Sequence, residues 1–200
     1  MVPSIATTSS SLPVIENLSG IPMPQYVHPE WVYEKADAVV LGRVVDVLPF
    51  RKNPLAGQPE EDPAKEHLPV VYKGYVLSVE TAWGPATIPK TITVYTWGTG
   101  IFAENGKQYE VRDNLPLDLS TGEQVLVALT KTAYFGTPEL KRDEFWAMAP
   151  WATFRVDANG RATRATGQEI AKAENVSNEF SLSALESIVV TRGKKTSAIQ

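Results

Sequence analysis

The chain reads as a mainly β protein, a small antiparallel barrel carrying a short N-terminal helix and a C-terminal helix. Three observations predict this. Apolar residues alternate over Tyr75–Thr99; further strand-like runs are separated by glycine, proline and asparagine turn signals; and helical periodicity is confined to two short stretches. On one face of the first central run fall Tyr75, Leu77, Val79 and Thr81, and on one face of the second Ile92, Val94 and Thr96. Period two puts each set on one side of a pleated strand, so these faces are expected to form the core. Between them Gly84, Pro85 and Pro89 suit no strand interior and require a reversal or crossing over Trp83 to Lys90.

The remaining elements follow in order. Pro29 stands where the first residue of a helix needs no N–H, and Glu30 stands near the positive helix end, so a short helix is expected over 28–36. Residues 37–48 are rich in valine, and Gly42 in their middle predicts a bulge or sharp bend. Residues 49–69 hold five of the 15 prolines and mixed charge, the composition of a long surface loop. Asn105-Gly106, between Ile101–Glu104 and Lys107–Val111, predicts a tight hairpin. Strands are expected over 122–129 and 145–156, the latter interrupted at Pro150, with a turn at 157–161. Leu182, Leu185, Ile188 and Val189 line one helical face. Ser183 and Glu186 have capping-box spacing, and Gly193 is the expected stop. Several strands, one long loop and few helices argue for the barrel. The organisation expected is a flexible leader over 1–27, one domain over 28–191 and a flexible tail over 192–200.

Composition bounds the function. A chain of 200 residues with 43% hydrophobic content can bury one sizeable core. A net charge of −4 and a pI near 5.3 remove the electrostatic term on which nucleic-acid affinity rests, so no nucleic-acid partner is expected. With no cysteine, disulfides, thiol catalysis and thiolate metal sites are excluded. No apolar run is long enough for a transmembrane segment, and the start, MVPSIATTSSSLPV, lacks the basic and apolar regions of a signal peptide; its Ser/Thr-rich part, Ser4 to Leu12, reads equally as a leader left after a cleavage site or as an ordinary flexible N-terminus.

Chemical motifs are sparse. Gly98-Thr99-Gly100-Ile101-Phe102-Ala103 matches a dinucleotide fingerprint, but Asn105-Gly106 leaves no room for the helix that fingerprint requires, so a glycine-rich strand exit explains it. Glu60, Glu61, Asp62, Glu66 and His67 form an acidic stretch. Lys65 and the flanking prolines read it as a solvated loop, and it is the one faint candidate for metal-assisted chemistry. Asp157 and Asn159 lack the rest of a calcium-loop pattern and read as a hairpin turn. No Gly-x-Ser-x-Gly elbow is present, and the two histidines, His28 and His67, lie beside or near prolines. No catalytic residue, metal ligand or cofactor is assigned.

The segments ADAVVLGRVVDV, YVLSVETAWG, TITVYTWG, GEQVLVAL and FRVDANGR, in that order over Ala36 to Arg161, resemble a group of bacterial, usually exported domains. Their OB-like barrel is similar to that of the tissue inhibitors of metalloproteinases and of netrin modules. The resemblance implies an OB-like barrel and an extracytoplasmic or secreted setting; the members of the group are mostly of unknown function. The inhibitors' use of an N-terminal cysteine on a protease zinc has no counterpart here.

Aromatic residues carry the binding expectation. Trp83, Tyr95, Trp97, Trp146 and Trp151 lie in or beside strands, and Tyr95 and Trp97 alternate with the core residues Val94 and Thr96. They are expected on the barrel's outer face beside the 49–69 loop. There Trp97 and Tyr95 would anchor a protein or glycan partner, unless the terminal helices or the long loop bury them. The expectation is a non-catalytic binding domain; the alternative is an enzyme assisted by a metal at residues 60–67.

Overall fold

The computed structural model describes residues 12–17, 24–52, 71–113, 115–132 and 140–200. In chain order these form β1 (Val14–Asn17), a 3-10 turn (Pro24–Val27), α1 (Pro29–Lys35), β2 (Ala38–Val47), β3 (Arg51–Lys52), β4 (Val71–Trp83), β5 (Thr87–Ile88), β6 (Thr91–Thr96), β7 (Gly100–Glu104) and β8 (Lys107–Asp113). They continue with β9 (Gln124–Thr130), β10 (Glu144–Ala147), a 3-10 turn (Pro150–Ala152), β11 (Phe154–Val156), β12 (Arg161–Arg164), α2 (Gln168–Ala173), β13 (Glu179–Ser181), α3 (Leu182–Thr191) and β14 (Ala198–Ile199). The protein is mainly β.

The central pairings form a circuit. β2 lies between β4 and β9, β4 between β2 and β6, and β10 pairs with both β6 and β9. The path β2, β4, β6, β10, β9 therefore returns to β2 through five strands. Within this circuit one contact departs from the all-antiparallel expectation: β10 runs parallel to β6, with Trp146 opposite Tyr95. Parallel neighbours require a crossover, and here β7, β8 and β9 intervene between them.

Inside the circuit the alternating residues meet as predicted. Tyr75, Leu77 and Val79 of β4, Ile92 and Val94 of β6, Val125, Val127 and Leu129 of β9, and Phe145 of β10 share one buried cluster with Ala38, Val40 and Val44 of β2. Burying each leucine or valine contributes about 1.5–3 kcal/mol. The other side of β2 is also covered. Val39 and Leu41 join Leu126 and Ala128 of β9, Val32 and Tyr33 of α1, Leu185 and Val189 of α3, and Phe154 of β11 in a second cluster.

Two bulges bend the β2–β4 pair. Leu41 faces Thr81 while Gly42 faces Val79, so Glu80 is the extra residue; Val44 faces Leu77 while Asp46 faces Val76, so Val45 is the second. The bend predicted at Gly42 is present, and its first extra residue belongs to the partner strand. A Cβ at Gly42 would lie 2.8 Å from the Ser78 carbonyl oxygen, so glycine permits the approach of the two backbones.

The local signals hold with small shifts. Pro29 opens α1, and Asn105 and Gly106 take positive φ of 51° and 74° in the β7–β8 hairpin. α3 is capped by Ser181, whose Oγ accepts from the Ala184 N–H at 3.1 Å, and not by Ser183. Gly193, at φ 81°, ends it: Gly193 N–H donates to the Val190 carbonyl and Lys194 N–H to that of Val189.

The chain ends behave differently from the expectation. The C-terminal residues, expected to fray, pair instead: β14 runs parallel to β5, Ser197 N–H donates to the Ala82 carbonyl, and Gln200 N–H donates to that of Ile88. Within the expected leader, β1 pairs parallel with β8, and Val27 is buried.

Candidate functional site

The aromatic surface expected at Tyr95 and Trp97 is absent, because both side chains are buried, at 3% and 7% exposure. Trp83, Trp146 and Trp151 are buried as well. For Tyr95 the cover comes from neighbouring strands. On the outer side of the circuit its ring lies 5.3 Å from Tyr72 of β4 and 5.6 Å from Trp146 of β10, with Leu140 packed against the group. The α3 helix sits on the other outer face, over β2 and β9. Trp97 lies past the end of β6, where its carbonyl accepts from the Leu117 N–H at 3.2 Å. The exposure that the anchor role of Tyr95 and Trp97 presumed is therefore absent, and both side chains pack within the fold.

What Tyr95 does is electrostatic. Arg51 Nη1 donates to the Tyr95 hydroxyl at 2.7 Å, and that hydroxyl donates to Glu144 Oε1 at 3.0 Å. Burial opposes ionisation of Glu144, yet hydrogen bonds from the Lys141 amide and Tyr95, with the charges of Lys141 and Arg51, hold its carboxyl below the usual glutamate range. Burial, reinforced by the bond to Glu144, raises the Tyr95 hydroxyl. The Tyr95 hydroxyl and both Glu144 carboxylate oxygens each have a protein partner.

The two ends of the five-stranded circuit differ. At the end where β4 begins and β6 finishes, the segment 115–120 closes the interior, with Leu117 and Leu119 inserted into the inner cluster. The Tyr75 hydroxyl fixes it, donating to the Leu117 carbonyl at 2.8 Å and accepting from the Leu119 N–H at 3.3 Å. Asp118 accepts from Thr99 Oγ1 at 2.6 Å and from its N–H at 3.1 Å, and pairs with Lys73 at 3.5 Å. Gly98 belongs to this plug: a Cβ there would meet Asp118 Oδ1 at 3.0 Å. The glycine-rich exit of β6 is thus a packing feature, and β7 follows it in place of a helix, as expected.

At the opposite end, where β2 and β10 begin and β4 and β9 finish, lies a cleft of about 450 Å3. Its floor is the inner core, through Ala38, Ile88 and Phe145, and the prolines of the 84–90 turn form one wall. Asp37, Lys131 and Arg142 bring charge to it. Ligand sites favour the mouths of β-barrels, where an apolar body and a few polar groups meet.

The charged groups are disposed differently. Asp37 Oδ2 accepts from Thr130 Oγ1 at 3.0 Å and from the Lys131 N–H at 2.6 Å, while its Oδ1 has no donor among the described residues. Lys131 Nζ donates to the carbonyls of Lys141, Arg142 and Glu144 and lies 3.9 Å from the centroid of Phe145. Loss of hydration pulls its ammonium below the ordinary lysine range, against the opposing charges of Asp143, Glu144 and Asp37. The Arg142 guanidinium makes no hydrogen bond or ion pair with any described residue.

No family model, no curated protein and no solved structure matches this chain. The site is read from its own chemistry.

Sequence reasoning did not single out Asp37, Lys131 or Arg142. Asp37 and Lys131 are separated by 94 positions, and only the β2–β9 register, Ala38 opposite Leu129, brings them together. A usable signal is their position: each flanks a strand end, where a charged residue reaches the rim of a closed sheet. The acidic stretch at 60–67 lies outside the described residues. Among the described residues no group of three or more histidine, aspartate or glutamate side chains is placed to hold a metal ion, and no helix is long and apolar enough to cross a membrane.

Proposed function

We propose that this chain is a non-catalytic binding domain that seats a ligand at the open end of its five-stranded circuit. The cleft there carries the reading: about 450 Å3 over an apolar floor, with the Arg142 guanidinium and one Asp37 oxygen unengaged by described residues. Lys131 supports the non-catalytic part. A lowered lysine pKa in a cleft is the mark of a general base, but each of its three protons is committed to a carbonyl, the arrangement of a staple holding the residues after β9 to those before β10. The resemblance noted in the sequence supports a setting outside the cytoplasm.

The burial of Tyr95 and Trp97 removes the exposure expected of them on the β6 face, and the cleft at the rim supports the binding reading in its place. Two-dimensional 1H–15N spectra, recorded against a panel of small apolar acids, amines, alcohols and amino acids, test this. Shifts should concentrate at Asp37, Ala38, residues 85–89, Lys131 and residues 142–145. Shifts confined to other regions, or none with any member of the panel, overturn the reading.

A further inference from the structure

The charges around the cleft specify a ligand class, an inference that rests on the binding reading above. Arg142 and Asp37 carry opposite charges and line the same cleft, yet no ion pair joins them. In many surface clefts such a pair collapses into a salt bridge. Here Asp37 Oδ2 is held by Thr130 and by the backbone of Lys131, so the carboxylate is anchored on the side where β9 ends. Arg142 is anchored only through its backbone: its carbonyl accepts from Lys131 Nζ at 2.8 Å, which fixes the main chain and leaves the guanidinium free.

Each group asks for something different. A free guanidinium offers two parallel N–H donors matched to a carboxylate. Asp37 Oδ1 offers an acceptor suited to an ammonium. The floor of the same cleft, through Ala38, Ile88 and Phe145, offers apolar surface, with Pro85 and Pro89 also lining it. Lys131 adds positive potential without a free donor, because its protons are already spent on carbonyls.

We infer that the cleft binds a small zwitterion with an apolar body, of which a free apolar α-amino acid is the simplest form. Its carboxylate pairs with Arg142, its ammonium with Asp37, and its side chain rests on Ile88 and Phe145. A purely anionic ligand leaves Asp37 unmatched and facing a like charge, and a purely cationic one leaves Arg142 unmatched beside Lys131.

The test compares three probes of matched apolar body by calorimetry and NMR: L-leucine, 4-methylpentanoate, which lacks the amine, and 3-methylbutylamine, which lacks the carboxylate. L-leucine should bind at least about tenfold more tightly than either, since each loses one charge-assisted contact. Arg142→Gln should weaken L-leucine about tenfold or more while leaving 3-methylbutylamine unchanged, and Asp37→Asn should do so while leaving 4-methylpentanoate unchanged or tighter. Arg142 has no described partner to lose, so its variant separates recognition from folding. Equal binding of L-leucine and 4-methylpentanoate at the cleft overturns the zwitterion while the binding domain stands. Absence of all three probes from the cleft, with other panel members shifting its residues, also overturns the zwitterion alone. Absence of every panel member overturns both.

Discussion

The two ends of the five-stranded circuit are built from the same strands and finished in opposite ways. At one end segment 115–120 folds inward, and two leucines complete the core under a hydroxyl and an ion pair. At the other the core surfaces as the floor of a cleft, and charge collects at the rim. An end of the circuit is filled when the connection over it supplies apolar residues to the core. Segment 115–120 supplies Leu117 and Leu119, whereas the turn at 84–90 holds two prolines and contributes Ile88 alone to the inner cluster. The plugged end completes the inner core, and the open end carries the cleft at which binding is proposed.

Substitutions at the two ends should separate these roles. The largest effect is expected at the plug. Leu117→Ala removes a fully buried side chain from the inner cluster and should cost about 2–5 kcal/mol in urea unfolding, through lost burial plus a cavity. A cost below about 1 kcal/mol, the level of a surface change, would show that the segment is an ornament and that the two ends are alike.

Next comes the hydroxyl that pins it. Tyr75→Phe leaves the Leu117 carbonyl without its donor and the Leu119 N–H without its acceptor, both in buried surroundings. It should cost about 1–3 kcal/mol. Faster amide exchange confined to residues 115–120 would sharpen the assignment. Unchanged exchange there would move the role of Tyr75 to its ring alone.

The smallest effect belongs to the open end. Arg142→Gln should change stability by no more than about 0.5 kcal/mol, because its guanidinium has no described partner to lose. A larger loss would make Arg142 part of the scaffold and erase the contrast between the ends.

Much of the interior was legible in the linear order of residues. Tyr75, Leu77, Val79, Ile92 and Val94 meet in one core because strand alternation is a local property, set by the pleat whatever lies across it. The Asn105-Gly106 hairpin, Pro29 at the start of α1, the bend at Gly42 and the stop at Gly193 were readable for the same reason: backbone conformation at proline, glycine and asparagine is decided within a few residues. The α3 cap shows the limit of that reasoning, since Ser181 and Ser183 are both plausible by spacing and β13 ends at the former.

Only the tertiary structure decided the rest. Alternation placed Tyr95 on the outer side of its strand, but an outer side is exposed only if nothing packs on it. Tyr72 and Trp146 do so from strands that become its neighbours through pairing. The C-terminal residues carry no periodic signal and still pair, because β5 presents an unpaired edge within their reach. Asp37, Lys131 and Arg142 lie far apart or in different connections and share one rim because closing a sheet through β2, β9 and β10 brings three strand ends together. Side-chain chemistry and local geometry belong to the sequence; which charges share a cleft, and which aromatics see water, depends on contacts between strands that no local rule specifies.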